Sequence, residues 1–269
     1  MIPAAVAYER ASDLDHALEL LGEPDARALA GGQSLLPVMK LRVARPSLVV
    51  DIGGLPLRGI EKRDGELHVG PLTTWDELAS SAELRRPALA AIAECARGIG
   101  DLQVRNRGTV GGSLAHADPA SDMAAALLAL RATLTLRSTQ GERTISLTDF
   151  LLGPFTTALG PQELITDVVV PVPAPGSASA YVSVEHPASG FPLAGAAALV
   201  GPAGETVALT GVAGAPFVLA DPGTPEAALG EVDVLGDRFA PAEYRRHLAT
   251  VVMRKALETA RARAEEDEA

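Results

Sequence analysis

The residues from Arg105 to Asp122 read RNRGTVGGSLAHADPASD, and they combine three kinds of chemistry in one short stretch. Gly111 and Gly112 leave the backbone bare, so a ligand can reach its N–H groups. Arg105 and Arg107 offer planar forks suited to carboxylate or phosphate. Asp118 and Asp122 offer acceptors. A second stretch, ALAGGQSLLP at 28–37, repeats the pattern of a diglycine, a hydroxyl residue and leucine. Successive backbone N–H groups form an anion-binding concavity, above all where a helix begins. Ser34 and Ser113 add hydroxyl donors.

Two such stretches are able to grip a diphosphate from two sides. Neither has the G-x-G-x-x-G spacing of a Rossmann dinucleotide site, and neither ends in Gly-Lys-Ser/Thr as a P-loop does. Taken singly, each diglycine reads equally as a tight turn or a close packing contact. Arg105 and Arg107 have two uses open to them. They neutralise an anion, or they brace the loop through carboxylates such as Asp101, and the second use is preferred. His116 reads as a partner for nearby backbone, Asp122 as a helix cap, a ligand acceptor, or both.

The elements that must position these stretches follow from periodicity and punctuation. Helices are predicted over 12–23 with Ser12 as cap, over 73–84 with Thr74 and Glu77 at capping-box spacing, over 87–100, and over 121–131 capped by Ser121 or Asp122. A short helical turn is predicted over 34–42. Strands are predicted over 26–32, 47–54 and 163–173, and hairpins over 59–71, turning at Asp64-Gly65, and over 132–147. The Pro/Gly/Ala/Ser-rich run at 171–180 marks a boundary. Beyond it a small antiparallel sheet and a closing helix are predicted. Helices and short strands interleave without the regular alternation of a large parallel sheet, so the fold class is α+β.

Composition narrows the function. The chain has 269 residues and a formal net charge of −11, which argues against nucleic-acid binding. Cys95 is the only cysteine, so the chain itself makes no intrachain disulfide and supplies no cysteine set for an iron–sulfur cluster or structural zinc. Its apolar surroundings predict a buried thiol. No run reaches membrane-spanning length, the N-terminus lacks a basic region followed by an apolar one, and a cytoplasmic location is expected.

The stretches ALAGGQSLLPVMKLR, VRNRGTVGGSLAHADPASD and GPFTTALGPQELI together resemble the FAD-binding medium subunit of molybdenum hydroxylases, with the aerobic carbon monoxide dehydrogenase branch the most similar and xanthine dehydrogenase more distant. The resemblance runs over nearly the whole chain. It implies a two-part FAD-binding domain of the PCMH/vanillyl-alcohol-oxidase type, 1–53 and 54–173, with a smaller C-terminal α+β domain over 174–269. It also implies that Leu29, Ala30, Gly31, Gly32, Gln33, Ser34, Leu35 and Leu36 contact FAD from the first stretch, and Thr109, Val110, Gly111, Gly112 and Ser113 from the second, largely around the pyrophosphate. Asp122 matches a family aspartate on the ribose or adenosine side, and Ile99 and Ile165 match apolar contact positions. Three positions depart from the pattern. Ser113 replaces a frequent asparagine, Gln33 a frequent histidine, and Val182 or Ser183 a common lysine. Tyr181 and Phe191 are the aromatic residues of the 181–195 segment that are candidates to approach the flavin ring.

The resemblance further implies an electron-transfer role. Electrons pass from the [2Fe–2S] clusters of a small subunit to FAD and on to an external acceptor, beside a large molybdopterin subunit, in a dimer of heterotrimers. No side chain is assigned as catalytic, and no metal site is expected. The alternatives are a self-contained FAD-dependent oxidoreductase on a related fold and a flavin-free assembly subunit.

Overall fold

The computed structural model describes residues 2–219 and 222–268. The chain begins with β1 (Ala7–Arg10), α1 (Leu14–Leu20), β2 (Arg27–Leu29), α2 (Leu35–Lys40) and β3 (Leu48–Asp51). The three strands form a parallel sheet in the order β1-β3-β2. Parallel neighbours need crossovers, which α1 and α2 supply. The cap of α1 is Asp13 and not Ser12: its carboxylate accepts the His16 amide at 2.8 Å, while the Ser12 hydroxyl donates to Asp13. Asp13 has the extended backbone a cap requires.

The middle of the chain runs through β4 (Ile60–Arg63), β5 (Glu66–Val69), α3 (Trp75–Ser80), α4 (Ala90–Gly98), α5 (Leu102–Arg105), α6 (Val110–His116) and α7 (Asp122–Ala129). It continues with β6 (Thr133–Ser138), β7 (Gly141–Ser146), α8 (Leu147–Phe150), β8 (Leu151–Gly153), β9 (Thr156–Thr157) and β10 (Leu164–Pro171). An antiparallel sheet of order β4-β5-β10-β6-β7 carries this part, and β10 is its central strand. Asp64 and Gly65, with φ of 51° and 82°, make the left-handed two-residue turn that joins β4 to β5. The capping box predicted at Thr74 and Glu77 is formed in both directions. Pro87 opens a 3₁₀ turn, and α4 proper starts at Ala90.

The last part holds β11 (Ala178–Glu185), β12 (Pro192–Gly201), β13 (Gly204–Thr210), β14 (Phe217–Val218), α9 (Pro225–Gly230) and α10 (Ala242–Glu268). The strands form an antiparallel sheet in chain order. α10 lays Leu248, Val252, Met253, Ala256 and Ala260 onto it, at the spacing of one helix face. α7 is buried from Met123 to Ala129 and packs on α4 and on β12 and β13, so it joins the middle part to the last sheet. An ion pair from Glu94 on α4 to Arg263 on α10 ties the same parts together. The fold is α+β, in agreement with the sequence pattern.

Candidate functional site

The two glycine stretches meet. An added Cβ on Gly31 would overlap the Arg107 carbonyl oxygen and lie 2.7 Å from its carbon. One on Gly112 would stand 3.7 Å from the Ala30 Cβ. The second stretch is pinned from the other side as well. Val110 donates to the Thr73 carbonyl, Trp75 donates to that of Gly108, and Gly111 donates to that of Pro71 at 2.9 Å. Small residues here are required first by backbone-to-backbone packing.

The stretches differ in what their amides do. The second is not a loop beyond Thr109 but the first turns of α6. Val110 and Gly111 donate as above, Gly112 donates to the Thr109 hydroxyl at 3.2 Å, and Ser113 donates to the Thr109 carbonyl at 3.0 Å. In the first stretch, the amides of Gly31 through Leu35 have no acceptor among the described residues, nor have the side chains of Gln33 and Ser34. Gly32 holds φ at +75°, a backbone conformation that glycine adopts without strain. The anion-binding capacity read from both stretches therefore lies in the first.

A cleft of about 580 Å³ opens between them, within the range of small-molecule sites. Of the positions singled out from sequence, Ala30, Gly31, Gly32, Gln33, Ser34, Leu35, Ile99, Thr109, Gly111, Gly112, Ser113, Asp122 and Ile165 line it. Leu29, Leu36 and Val110 do not. The Leu29 and Leu36 side chains close on either side of Gly32, and Val110 is buried in the core at 1% exposure. Sequence reasoning left out Trp75, Val104 and the wall formed by Phe155, Thr157, Leu159 and Gly160. That wall lies within the stretch GPFTTALGPQELI, which also holds Ile165.

Several neighbouring assignments change. Arg105 does brace the stretch, but through the carbonyls of Gly100, at 2.8 Å, and Ile99, because Asp101 is occupied in capping α5 at the Val104 amide. His116 does not bond to backbone; its ring lies against Phe155 with centroids 5.1 Å apart. Ser121 caps α7, which leaves the Asp122 carboxyl free for other partners. Of the two aromatic candidates, Phe191 lines the cleft and Tyr181 stands behind it. The Tyr181 hydroxyl donates to Asp122. Burial raises the Asp122 pKa to about 7; the Tyr181 hydrogen bond works against this, while the charges of Glu185 and Asp118 add to it. The Cys95 thiol is buried, as expected, and burial pushes its pKa well up. Among the described residues no group of three or more His, Cys, Asp or Glu is placed to hold a metal ion, and no helix is long and apolar enough to cross a membrane.

A dinucleotide carrying a diphosphate fits these residues. The unpartnered amides of the first stretch match an anion, Ile99 and Ile165 give apolar wall, and Ser34, Ser113 and Asp122 give polar contacts. The family described as FAD binding domain in molybdopterin dehydrogenase matches residues 4–173. The carbon monoxide dehydrogenase medium chain of Afipia carboxidovorans is 34% identical, over 98% of this chain and 99% of that one. The 6-hydroxypseudooxynicotine dehydrogenase complex subunit alpha of Paenarthrobacter nicotinovorans is 42% identical over 74% of this chain and 68% of that one. Among solved structures, a carbon monoxide dehydrogenase from Hydrogenophaga pseudoflava that lacks the Mo-pyranopterin moiety aligns with a TM-score of 0.92 at 33% identity, covering 98% of this chain and 99% of that one.

Proposed function

Because the chain belongs to the FAD-binding family of molybdopterin dehydrogenases, as an oxidoreductase subunit of the carbon monoxide/xanthine dehydrogenase kind, we propose that its cleft holds FAD for electron transfer within a three-subunit molybdenum hydroxylase. The observation that carries this reading is the run of amides from Gly31 to Leu35 at the cleft wall, all without an acceptor among the described residues. They and the Ser34 hydroxyl bind the pyrophosphate. Gly111, Gly112 and Ser113 shape the facing wall, with Thr109 fixing the start of α6 through its cap. Ile99, Ile165 and Phe191 exclude water. Asp122 takes a hydroxyl of the sugar portion. Bound FAD supplies the electron exchange, for which no side chain of this chain is equipped.

The partners in this reading are a small subunit with [2Fe–2S] clusters and a large molybdopterin subunit, arranged as a dimer of heterotrimers in the cytoplasm. The chain divides at 53 and 173 into two FAD-binding parts and a C-terminal domain. The test is reconstitution. The purified chain with FAD should not oxidise the substrate of the complex, although artificial reductants should bleach its flavin absorbance. Adding both partner subunits should make bleaching substrate-dependent. Turnover of that substrate by the chain alone would replace this reading with an independent flavoenzyme. Full activity of a complex whose chain carries no flavin would leave it an assembly subunit.

A further inference from the structure

Asp122 has an unusual set of neighbours for a carboxyl on a cleft wall. Its side chain accepts the Tyr181 hydroxyl from β11. Behind it on α4, the Cys95 thiol donates to the Asp122 carbonyl at 3.5 Å. The charged groups acting on it are Glu185 on β11 and Asp118 before α7, both acidic. Glu94 on α4 is acidic too, but it is paired with Arg263 and accepts the Tyr181 amide at 2.8 Å. No cation pairs with Asp122 among the described residues.

Tyr181 is held in place from three directions. Its amide is fixed by Glu94, its strand is paired to β12, and its hydroxyl fills the space left by Gly195. A Cβ at Gly195 would collide with that hydroxyl and lie 2.9 Å from the Thr210 methyl. The phenol therefore has one orientation, and it is aimed at the carboxyl.

We propose that Tyr181 is a positioning residue for Asp122, and that the pair makes cofactor binding take up a proton at the Asp122 carboxyl. This rests on the FAD reading above. Filling the cleft strips water from a carboxyl that already has acidic neighbours, and a diphosphate adds further negative charge. Both favour the protonated acid and outweigh the sugar hydroxyl, which by itself favours the carboxylate. The proton comes from solvent and goes to an Asp122 oxygen. Tyr181 keeps its own, because burial and the Asp122 charge push the phenol pKa well up.

The sign follows from linkage. If binding raises the carboxyl pKa, the complex holds more protons than the free chain above pH 7, so affinity falls as pH rises there, by at most tenfold per pH unit. The experiment has two arms. Infrared titration of the full chain without flavin should show a carboxylic C=O band lost around pH 7; Asp122→Asn should remove the band, and Tyr181→Phe and Gly195→Ala should move its midpoint upward. Calorimetric FAD titration in two buffers of different protonation enthalpy should then show net proton uptake in the parent chain and none in Asp122→Asn. A midpoint indifferent to Tyr181→Phe overturns the positioning role. FAD binding with the same proton count in both chains overturns the linkage while leaving the FAD reading intact. No FAD binding at any pH overturns both.

Discussion

Gly31 rests against the backbone of Arg107, with no room for even a methyl group between them. This contact joins the β2–α2 stretch, which carries the free amides, to the segment that leads into α6. It fixes the width of the cleft between two parts of the chain that share no sheet.

Gly31→Ala should therefore wedge the two stretches apart. Overpacking against rigid backbone costs about 1–3 kcal/mol. That corresponds to a fall in Tm of several degrees, and FAD affinity should drop with it. Calorimetry and flavin fluorescence measure the two effects. Gly230→Ala, where an added Cβ meets nothing within 4 Å, serves as the neutral control.

Gly111 lines the cleft, yet its missing side chain faces Pro71, with the Pro71 carbonyl oxygen 2.9 Å from an added Cβ. If Gly111 were bare only to admit a ligand, Gly111→Val would weaken FAD binding while sparing the apo fold. The packing reverses that expectation. Gly111→Val should destabilise the flavin-free chain by more than about 1 kcal/mol. An unchanged Tm without FAD would show that α6 shifts away from Pro71 at no cost.

The Ser34 hydroxyl has no partner among the described residues, so removing it leaves none of them unsatisfied. Ser34→Ala should keep the apo Tm within about 1 °C, because surface changes of this kind stay within about ±0.5 kcal/mol. FAD affinity should fall roughly 2- to 10-fold, the worth of one ordinary hydrogen bond. Equilibrium dialysis would measure it.

Stability of the flavin-free chain should fall as pH rises toward neutrality. The Asp122 carboxyl has its pKa raised to about 7 from 3.8, so between these values the folded state holds a proton that the unfolded state has lost. The contribution is on the order of a few kcal/mol, or roughly 5 °C in Tm between pH 5 and pH 8. Asp122→Asn should flatten that dependence. Asp13, Glu163, Glu205 and Asp237 have lowered pKa values and lose their stabilisation at more acid pH, outside this window.

FAD should be held without a covalent bond. Cys95 is buried at 1% exposure, and among the described cleft residues only His116 offers an imidazole nitrogen. Acid precipitation should leave the flavin in the supernatant, and yellow colour in the washed pellet would identify a tether.

The sequence by itself determined the local elements and the cofactor family. The Asp64-Gly65 turn, the Thr74/Glu77 box and the apolar face of α10 depend on residues a few positions apart, whose hydrogen bonds and periodicity survive without knowledge of the fold. The two diglycines pointed to a diphosphate, and the family resemblance of the stretches around them to FAD. Their division of labour was not legible. Only the packed structure shows that the Val110–Ser113 amides are consumed in starting α6 while those of Gly31–Leu35 stay open. The same holds for Asp122 and Tyr181, which stand 59 positions apart and meet because α4 and α7 pack side by side on the last sheet. Such contacts depend on how whole elements stack, and side-chain identity at either end carries no record of the distance between them.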